Sequence, residues 1–148
     1  MKLNLFHLFF LLACVTILPS FQPLAETGIK VTVTNLRSNK GHVLISLFKD
    51  GVGYPDKPEK AFKRVKVTIA NKNASTLFEG VPAGTYAIAI LHDENDDTKM
   101  NTNMLGLPKE GYGFSNNVMG AFGPPPYSRA SFKFTANSVI TSQIKARY

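Results

Sequence analysis

The sequence predicts an all-β protein, a single antiparallel two-sheet sandwich of about seven strands with one long Gly/Pro-rich loop. Apolar residues alternate with polar ones in many short segments, which is the period of a half-buried strand. Turn-forming residues separate these segments. From residue 26 onward no apolar repeat of 3.6 residues is long enough for a helix. Because each strand has one apolar face, two sheets must pack face to face to bury them all.

Residues 1–25 have the three parts of a signal peptide. Lys2 precedes the uncharged apolar run Leu8–Leu18, and Ala25 offers a small residue for cleavage. A membrane-spanning helix needs about 20 apolar residues, so this run is too short to be an anchor. The sequence therefore predicts export, with the product in the periplasm or secreted.

Residues 26–148 are predicted to be the single domain of the exported protein. An alternative is a lipoprotein, because Leu11–Cys14 resembles the bacterial signal for lipidation of a cysteine. The apolar run continues after Cys14, however, whereas a lipidated cysteine normally begins a polar tether. Cys14 is the only cysteine of the chain, so the domain has no disulfide, thiolate metal site or cysteine nucleophile.

Seven segments of the domain have the strand period. They lie around Ile29–Val33, Val43–Leu47, Val65–Ile69, Ser75–Phe78, Thr85–Leu91, Phe132–Phe134 and the face shared by Ile140, Ile144 and Tyr148. The turn at Arg37–Gly41 contains residues that tolerate a positive φ. We therefore expect the first two strands to form a hairpin.

No strand is predicted between residues 92 and 127. Five glycines and four prolines fall between Gly106 and Pro126. A connection this long within one domain is usually functional, and its apolar residues indicate that it packs on the sandwich. The aromatic residues Tyr112, Phe114 and Phe122 are expected to form a ridge that contacts a partner.

Oxygen-bearing side chains recur at alternate positions after the fifth strand. With Asp93 as position 1, Asn95, Asp97 and Asn101 stand at positions 3, 5 and 9. Calcium loops present their ligands at these positions, because the chain wraps round the ion. The sequence therefore predicts calcium as a cofactor bound by Asp93, Asn95, Asp97 and Asn101.

Two departures from a complete calcium loop leave alternatives open. Thr98 stands at position 6, where glycine makes the sharp turn, and Met104 at position 12, where glutamate binds through two oxygens. Backbone carbonyls, water or Glu110 would have to close such a site. The alternatives are another metal, or a solvated acidic turn whose side chains satisfy backbone donors.

Catalytic constellations are weak in this sequence. His92 has no histidine partner four residues away and, on a strand, faces away from Asp93, which favours a structural histidine. Ser115 lacks the glycine spacing of a nucleophile elbow. We expect no enzyme. The competing hypothesis is a hydrolase that uses Asp93 or Glu110, or pairs Glu94 with Glu110, under the long loop as a lid.

The chain has a formal net charge of +7. The basic segment Lys57–Lys66 is typical of a solvated edge strand. In an exported protein it favours anionic envelope polymers or lipid headgroups over nucleic acid. We expect an envelope protein or polymer as the partner, and no stable membrane insertion once the signal is removed. The favoured function is a binding or structural module, with a metal-free adhesion or assembly module as the alternative.

Several motifs resemble a bacterial family known as domain of unknown function 2141. They are FEGVPAGTYA from Phe78, HDEN from His92, LGLPKEGYGFSNN from Leu105 and FGPP from Phe122. The resemblance implies export and a small transthyretin-like or immunoglobulin-like sandwich, and it implies no activity.

The acidic loop of that family usually resembles D-E-N-G-N-G-K-L-D. Here Asp96 and Thr98 replace the two glycines, Asp97 replaces an asparagine and Asn101 replaces the last aspartate. Oxygen ligands are kept at positions 1, 3, 5 and 9. The loss of the glycine at Thr98 predicts a less tightly wrapped loop.

Overall fold

A computed structural model describes residues 27–148, so the predicted signal peptide at 1–25 and Cys14 lie outside the described residues. Eight strands form two sheets, which confirms the predicted sandwich. The strands are β1 Gly28–Thr34, β2 His42–Lys49, β3 Lys63–Thr68, β4 Ala74–Phe78, β5 Gly84–Asp93, β6 Gly111–Phe114, β7 Phe132–Phe134 and β8 Val139–Lys145. Short helical turns are α1 Tyr127–Ala130 and the 3-10 segments Pro58–Lys60 and Ser115–Asn117. Within residues 27–148 no helix is long and apolar enough to cross a membrane.

One sheet has three strands in the order β4-β1-β8, and the other has five. In the larger sheet the order is β3-β2-β5-β6, and β7 pairs with the first residues of β5. All its pairs are antiparallel. In the smaller sheet β1 is antiparallel to β4 but parallel to β8, which departs from the antiparallel pairing predicted for the whole sandwich.

The predicted hairpin between the first two strands is wrong, because β1 and β2 lie in different sheets. Leu36 is buried just after β1, and the side-chain amide of Asn35 donates to the Ala146 carbonyl, 2.8 Å away. The chain therefore stays beside the end of β8 before it crosses to β2. The apolar faces of β1 and β2 meet in the same core. Strands that face each other across a sandwich bury their apolar residues as well as neighbouring strands do, so periodicity cannot distinguish the two arrangements.

A strand does form in the segment where none was predicted, since β6 pairs with Ala89–His92 of β5. Its two glycines hide the alternation. A Cβ atom at Gly113 would lie 2.8 Å from Cγ2 of Ile144, and one at Gly111 would lie 2.6 Å from the Tyr148 ring. The inner face of β6 thus carries no side chains, because Ile144 and Tyr148 occupy that space.

The core lies between the sheets, and a second apolar cluster covers the outer face of the larger one. The first cluster runs from Ile29 to Ala146 and includes residues of both sheets. The second contains Phe114 and Ala130, with Tyr127 packed against them. The Tyr127 hydroxyl donates to the Thr85 carbonyl at 2.9 Å, so part of the long loop packs on the sandwich, as predicted.

The predicted aromatic ridge does not form. Phe114 is buried in the second cluster and Tyr112 is half-buried beside it, whereas Phe122 is fully exposed. Tyr112 and Phe114 are two residues apart in β6 and therefore lie on one face of the strand, and this face packs into the second cluster on the outer side of the larger sheet.

The acidic loop and the hydrogen bonds that hold it

The predicted ligands lie directly after β5, at one end of the sandwich. Asp93 is the last residue of β5 and is fully buried. Its Oδ1 accepts the backbone N–H of Asp97 at 3.2 Å, and its Oδ2 accepts that of Thr98 at 2.9 Å. The buried carboxylate therefore holds the loop wrapped around it.

The side chains of Asn95, Asp97 and Asn101 are in direct contact. The Asn95 amide donates to Oδ2 of Asp97 at 3.0 Å and to Oδ1 of Asn101 at 2.9 Å. The Asn101 amide donates to the same Asp97 oxygen at 2.8 Å. Three of the four predicted ligands thus form one cluster, and Asp93 joins it through the backbone of Asp97.

The loop makes its sharp turns without glycine. Asp96 has a φ of 61° and Thr98 a φ of 64°, both in the left-handed region. These are the two positions at which the resemblance implies glycine, the residue that adopts this backbone conformation without strain. A non-glycine residue in this region costs about 1 kcal/mol or more. The hydrogen bonds to Asp93 hold the strained turns, so the replaced glycine does not prevent wrapping.

The loop cluster has a modest charge. Within the described part of the chain, no three His, Cys, Asp or Glu side chains are grouped so that they could hold a metal ion. The cluster instead combines two carboxylates with two amides. Any cation bound here would depend on amide, carbonyl and water oxygens in addition to Asp93 and Asp97.

Glu110 joins the two ends of the loop. Its carboxylate is buried, with Oε1 accepting the backbone N–H of Glu94 at 2.9 Å and Oε2 that of Asn101 at 3.0 Å. The backbone N–H of Lys109 donates to the Asn101 carbonyl beside it, at 2.8 Å. The sequence offered Glu110 as a ligand or a hydrolase residue and gave no sign of this backbone contact, which depends on the fold.

Glu94 turns away from the cluster and binds the connection between β1 and β2. Nε of Arg37 lies 3.2 and 3.0 Å from the two carboxylate oxygens, Nη2 donates to the same carboxylate, and the Ser38 hydroxyl donates at 2.8 Å. The hydrogen bonds from Arg37 lower the pKa of Glu94, burial opposes them, and Ser38 lowers the pKa further. Glu94 is therefore an ion-pair partner that fixes the loop to the sandwich.

We expect this ion pair to make stability depend on acidity below about pH 4.5. The pKa of Glu94 is lowered from 4.5 in the folded state, so its contribution is complete above that value and is lost as pH falls through the folded pKa. Urea unfolding at pH 7, 4.5 and 3 measures this loss. The Glu94→Gln variant should lose less stability over this range than the wild type, whereas Glu79→Gln, at an exposed glutamate, should follow the wild type. An equally steep loss in Glu94→Gln would contradict the assignment.

His92 is fully buried and hydrogen-bonded through both ring nitrogens. Nε2 lies 2.9 Å from the Lys40 carbonyl, which only accepts, so this nitrogen carries the hydrogen. Nδ1 lies 2.6 Å from the Tyr148 hydroxyl, which also accepts the Arg37 backbone N–H at 2.9 Å. The hydroxyl hydrogen is thus free to point at Nδ1. With both nitrogens occupied, His92 joins β5 to the connection between β1 and β2 and to Tyr148, which follows β8.

The other candidate residues also have structural partners. The buried Ser115 hydroxyl donates to the Ala130 carbonyl at 2.6 Å and accepts the Ile88 N–H at 2.9 Å. Asp96 contacts Lys66 at 2.9 Å and His42 at 2.6 Å, which joins the loop to the basic edge strand. The hydrogen bonds from Lys66 and then His42 lower the pKa of Asp96.

A solvent-open depression of about 620 Å³ lies beside the loop, lined by Arg37, Ser38, Lys40, Glu94, Asn95, Asn101, Lys109 and Glu110. These residues are all polar or charged. Small-molecule sites are usually enclosed and predominantly apolar. The depression therefore differs in character from a typical substrate pocket.

Comparison with known proteins finds one family. No curated protein and no solved structure matches the chain. The sequence profile of the family matches residues 31–142, which extend from β1 into β8 and include all four predicted ligands. Since the match covers more than half of the 148 residues, this chain belongs to the DUF2141 family, described as uncharacterized proteins conserved in bacteria.

Proposed function

We propose that this protein is an exported, non-catalytic binding or structural module whose loop at residues 93–101 binds one calcium ion. One observation carries the calcium assignment. Asn95, Asp97 and Asn101 converge on one another beside the wrapped turn at Asp93, with contacts of 2.8 to 3.0 Å. Alternate side chains of one loop thus meet at a point, as calcium requires.

The side chains have the oxygens that calcium prefers. Hydrogen bonds from Asn101, then from the Lys99 backbone and Asn95, lower the pKa of Asp97, so this exposed carboxylate is ionised at neutral pH. The amides donate to it here, and a half-turn of each amide about its terminal bond would present Oδ1 to an ion instead. Water and backbone carbonyls would complete the six to eight oxygens of a calcium shell.

The site has the composition of a weak calcium site. Asp97 is the exposed carboxylate of the site, and each oxygen of Asp93, like each oxygen of Glu110, already accepts one backbone N–H and has one lone pair left for an ion. Sites of this kind in extracellular modules have dissociation constants of about 10⁻⁴ to 10⁻³ M. A signal peptide at residues 1–25 would deliver the protein to such a compartment.

The non-catalytic part of the proposal is supported by how the reactive side chains are engaged. His92 is bonded at both nitrogens, and the Ser115 hydroxyl at 2.6 and 2.9 Å. The carboxylates of Asp93 and Glu110 each accept two backbone N–H groups. A hydrolase would have to break contacts that hold the loop.

We expect calcium to raise the melting temperature of the domain beginning at Glu26. A ligand at 100 times its dissociation constant stabilises the folded state by about 2.7 kcal/mol, which predicts a rise of about 5 °C or more. The measurement compares chelator with calcium, magnesium and zinc. Asp97→Ala, at an exposed position, should abolish the rise, and Asp56→Ala, at an exposed aspartate of another loop, should keep it.

The outcomes separate the alternatives. An Asp97→Ala variant that still responds like the wild type would show that the ligands are wrong. No rise with any divalent ion would favour a metal-free adhesion or assembly module. The contacts of Asp93 and Glu110 support that second candidate, because they hold the loop without an ion.

A further inference from the structure

A small hairpin with an apolar apex follows the acidic loop. Thr102 and Pro108 form an antiparallel bridge, and the chain turns between them. Met104 is fully exposed and Leu105 is 83% exposed, with Leu107 beyond them also exposed. A Cβ atom at Gly106 would meet nothing within 4 Å, so the apex stands clear of the sandwich. We refer to residues 102–108 as the apical hairpin.

Four backbone N–H groups of the apical hairpin are hydrogen-bonded within it. Oδ1 of Asn103 accepts the N–H groups of Leu105 at 2.9 Å and Leu107 at 3.0 Å. The Asn103 backbone donates to the Leu107 carbonyl at 2.9 Å and accepts the Gly106 N–H at 3.0 Å. Pro108 has no N–H group. Backbone that enters a lipid phase must have its polar groups paired in this way, because water is absent there.

Two lysines flank the hairpin and no acidic residue lies between them, while the exposed carboxylate of Asp97 stands two positions before Lys99 and the buried carboxylate of Glu110 follows Lys109. Lys99 and Lys109 are exposed, and the Lys109 backbone N–H pairs with the Asn101 carbonyl at 2.8 Å, next to the hairpin base. Cations behind an apolar tip are suited to an anionic lipid surface, since the tip enters the interface while the charges stay among the headgroups. Residues 26–148 have 16 lysines and arginines against 10 acidic residues, and this net charge of +6 gives the same attraction at longer range.

We propose that the apical hairpin docks this protein reversibly on an anionic lipid surface, with Met104, Leu105 and Leu107 inserted at the headgroup boundary. A lipid fits better than a protein partner. The apex stands clear of the sandwich and four of its backbone donors are already used, whereas protein hot spots are packed into complementary pockets. The docking uses no calcium ion and is therefore independent of the function proposed above.

Tryptophan fluorescence tests the proposal, because the chain contains no tryptophan. The domain beginning at Glu26 contains all of both core clusters, so it is the form to use, with its melting curve as a folding check. The Leu105→Trp variant is mixed with vesicles of phosphatidylcholine, alone or with an equal part of phosphatidylglycerol, in chelator throughout. We expect its emission to move to shorter wavelength with the anionic vesicles only.

Phe122→Trp is the matched control, because Phe122 is a fully exposed apolar residue on another loop. The loop with Phe122 leads to Tyr127, whose hydroxyl donates to the Thr85 carbonyl at the beginning of β5. The apical hairpin instead follows the end of β5, which is ten residues long. The two ends of such a strand are about 30 Å apart. The emission of Phe122→Trp should not change with either vesicle.

Vesicle cosedimentation gives the magnitudes. Replacing Met104 and Leu105 together by serine should weaken binding at least about tenfold, and each change of Lys99 or Lys109 to glutamine about fivefold. Full binding by the serine variant, an equal spectral change in Phe122→Trp, or no wild-type binding to anionic vesicles would overturn the proposal. The proposal would also be overturned if the wild type were a dimer and the serine substitutions dissociated it, because the apex would then be a protein interface.

Discussion

Replacing Glu110 by alanine is expected to lower the free energy of unfolding by about 3–6 kcal/mol. The buried carboxylate accepts two backbone N–H groups, from Glu94 and Asn101. Each hydrogen bond to a charged group contributes about 1.5–3 kcal/mol, and alanine would leave both donors without this partner. Urea unfolding at neutral pH measures the loss, with the midpoint and the slope fitted separately.

Glu110→Gln is the matched control for that experiment. Its amide keeps one acceptor oxygen and places an NH₂ group opposite the other N–H, so about half of the loss is expected. If both variants unfold like the wild type, the carboxylate does not hold the loop. If Glu110→Ala lowers the free energy of unfolding but the domain still folds, we expect the variant to bind calcium more weakly as well. Asn95 and Asn101 would no longer be held in place.

Gly41→Ala is expected to destabilise the protein by about 3 kcal/mol or more. Gly41 has a φ of 63°, and a Cβ atom there would lie 1.8 Å from the Asp93 carbonyl oxygen and 2.8 Å from Cα of Glu94. Left-handed backbone and overpacking each cost about 1–3 kcal/mol for a side chain. The displaced atoms belong to the end of β5 and the first residue of the loop, so the ligand cluster should be disturbed as well.

Gly106→Ala separates the two causes. Gly106 also has a positive φ, of 77°, but its Cβ atom would meet nothing within 4 Å. This variant should therefore lose only the conformational part, about 1 kcal/mol. Thermal and urea unfolding of both variants give the comparison, and equal losses would show that the contact at Asp93 is not responsible for the effect of Gly41→Ala.

The sequence alone predicted several features of the candidate site. The alternation of Asp93, Asn95, Asp97 and Asn101 predicted that these side chains meet, and three of them are in contact. A single loop brings them together, so nearby residues suffice. Calcium binding, export and the absence of catalysis stay predictions, and the melting experiment tests the first of them directly.

Local periodicity was sufficient to predict the class of fold, because the buried face of most strands consists of alternate apolar residues, such as Ile29, Val31 and Val33. Periodicity did not predict β6, because the face of β6 that points into the sandwich has only glycines. Ile144 and Tyr148 occupy the space that side chains would fill there. Where a neighbouring element supplies the apolar surface, the strand itself carries no signal.

Contacts between distant parts of the chain were decided only in three dimensions. The pairing of β1 with β8 joins residues more than 100 positions apart, and Glu110 reaches Glu94 across the loop. The exposure of Met104 and Leu105 was also decided only in three dimensions, because the sequence alone does not distinguish an exposed apolar residue from a buried one. Each depends on which surfaces the sandwich leaves free, and that is set by the packing of the whole chain rather than by neighbouring residues.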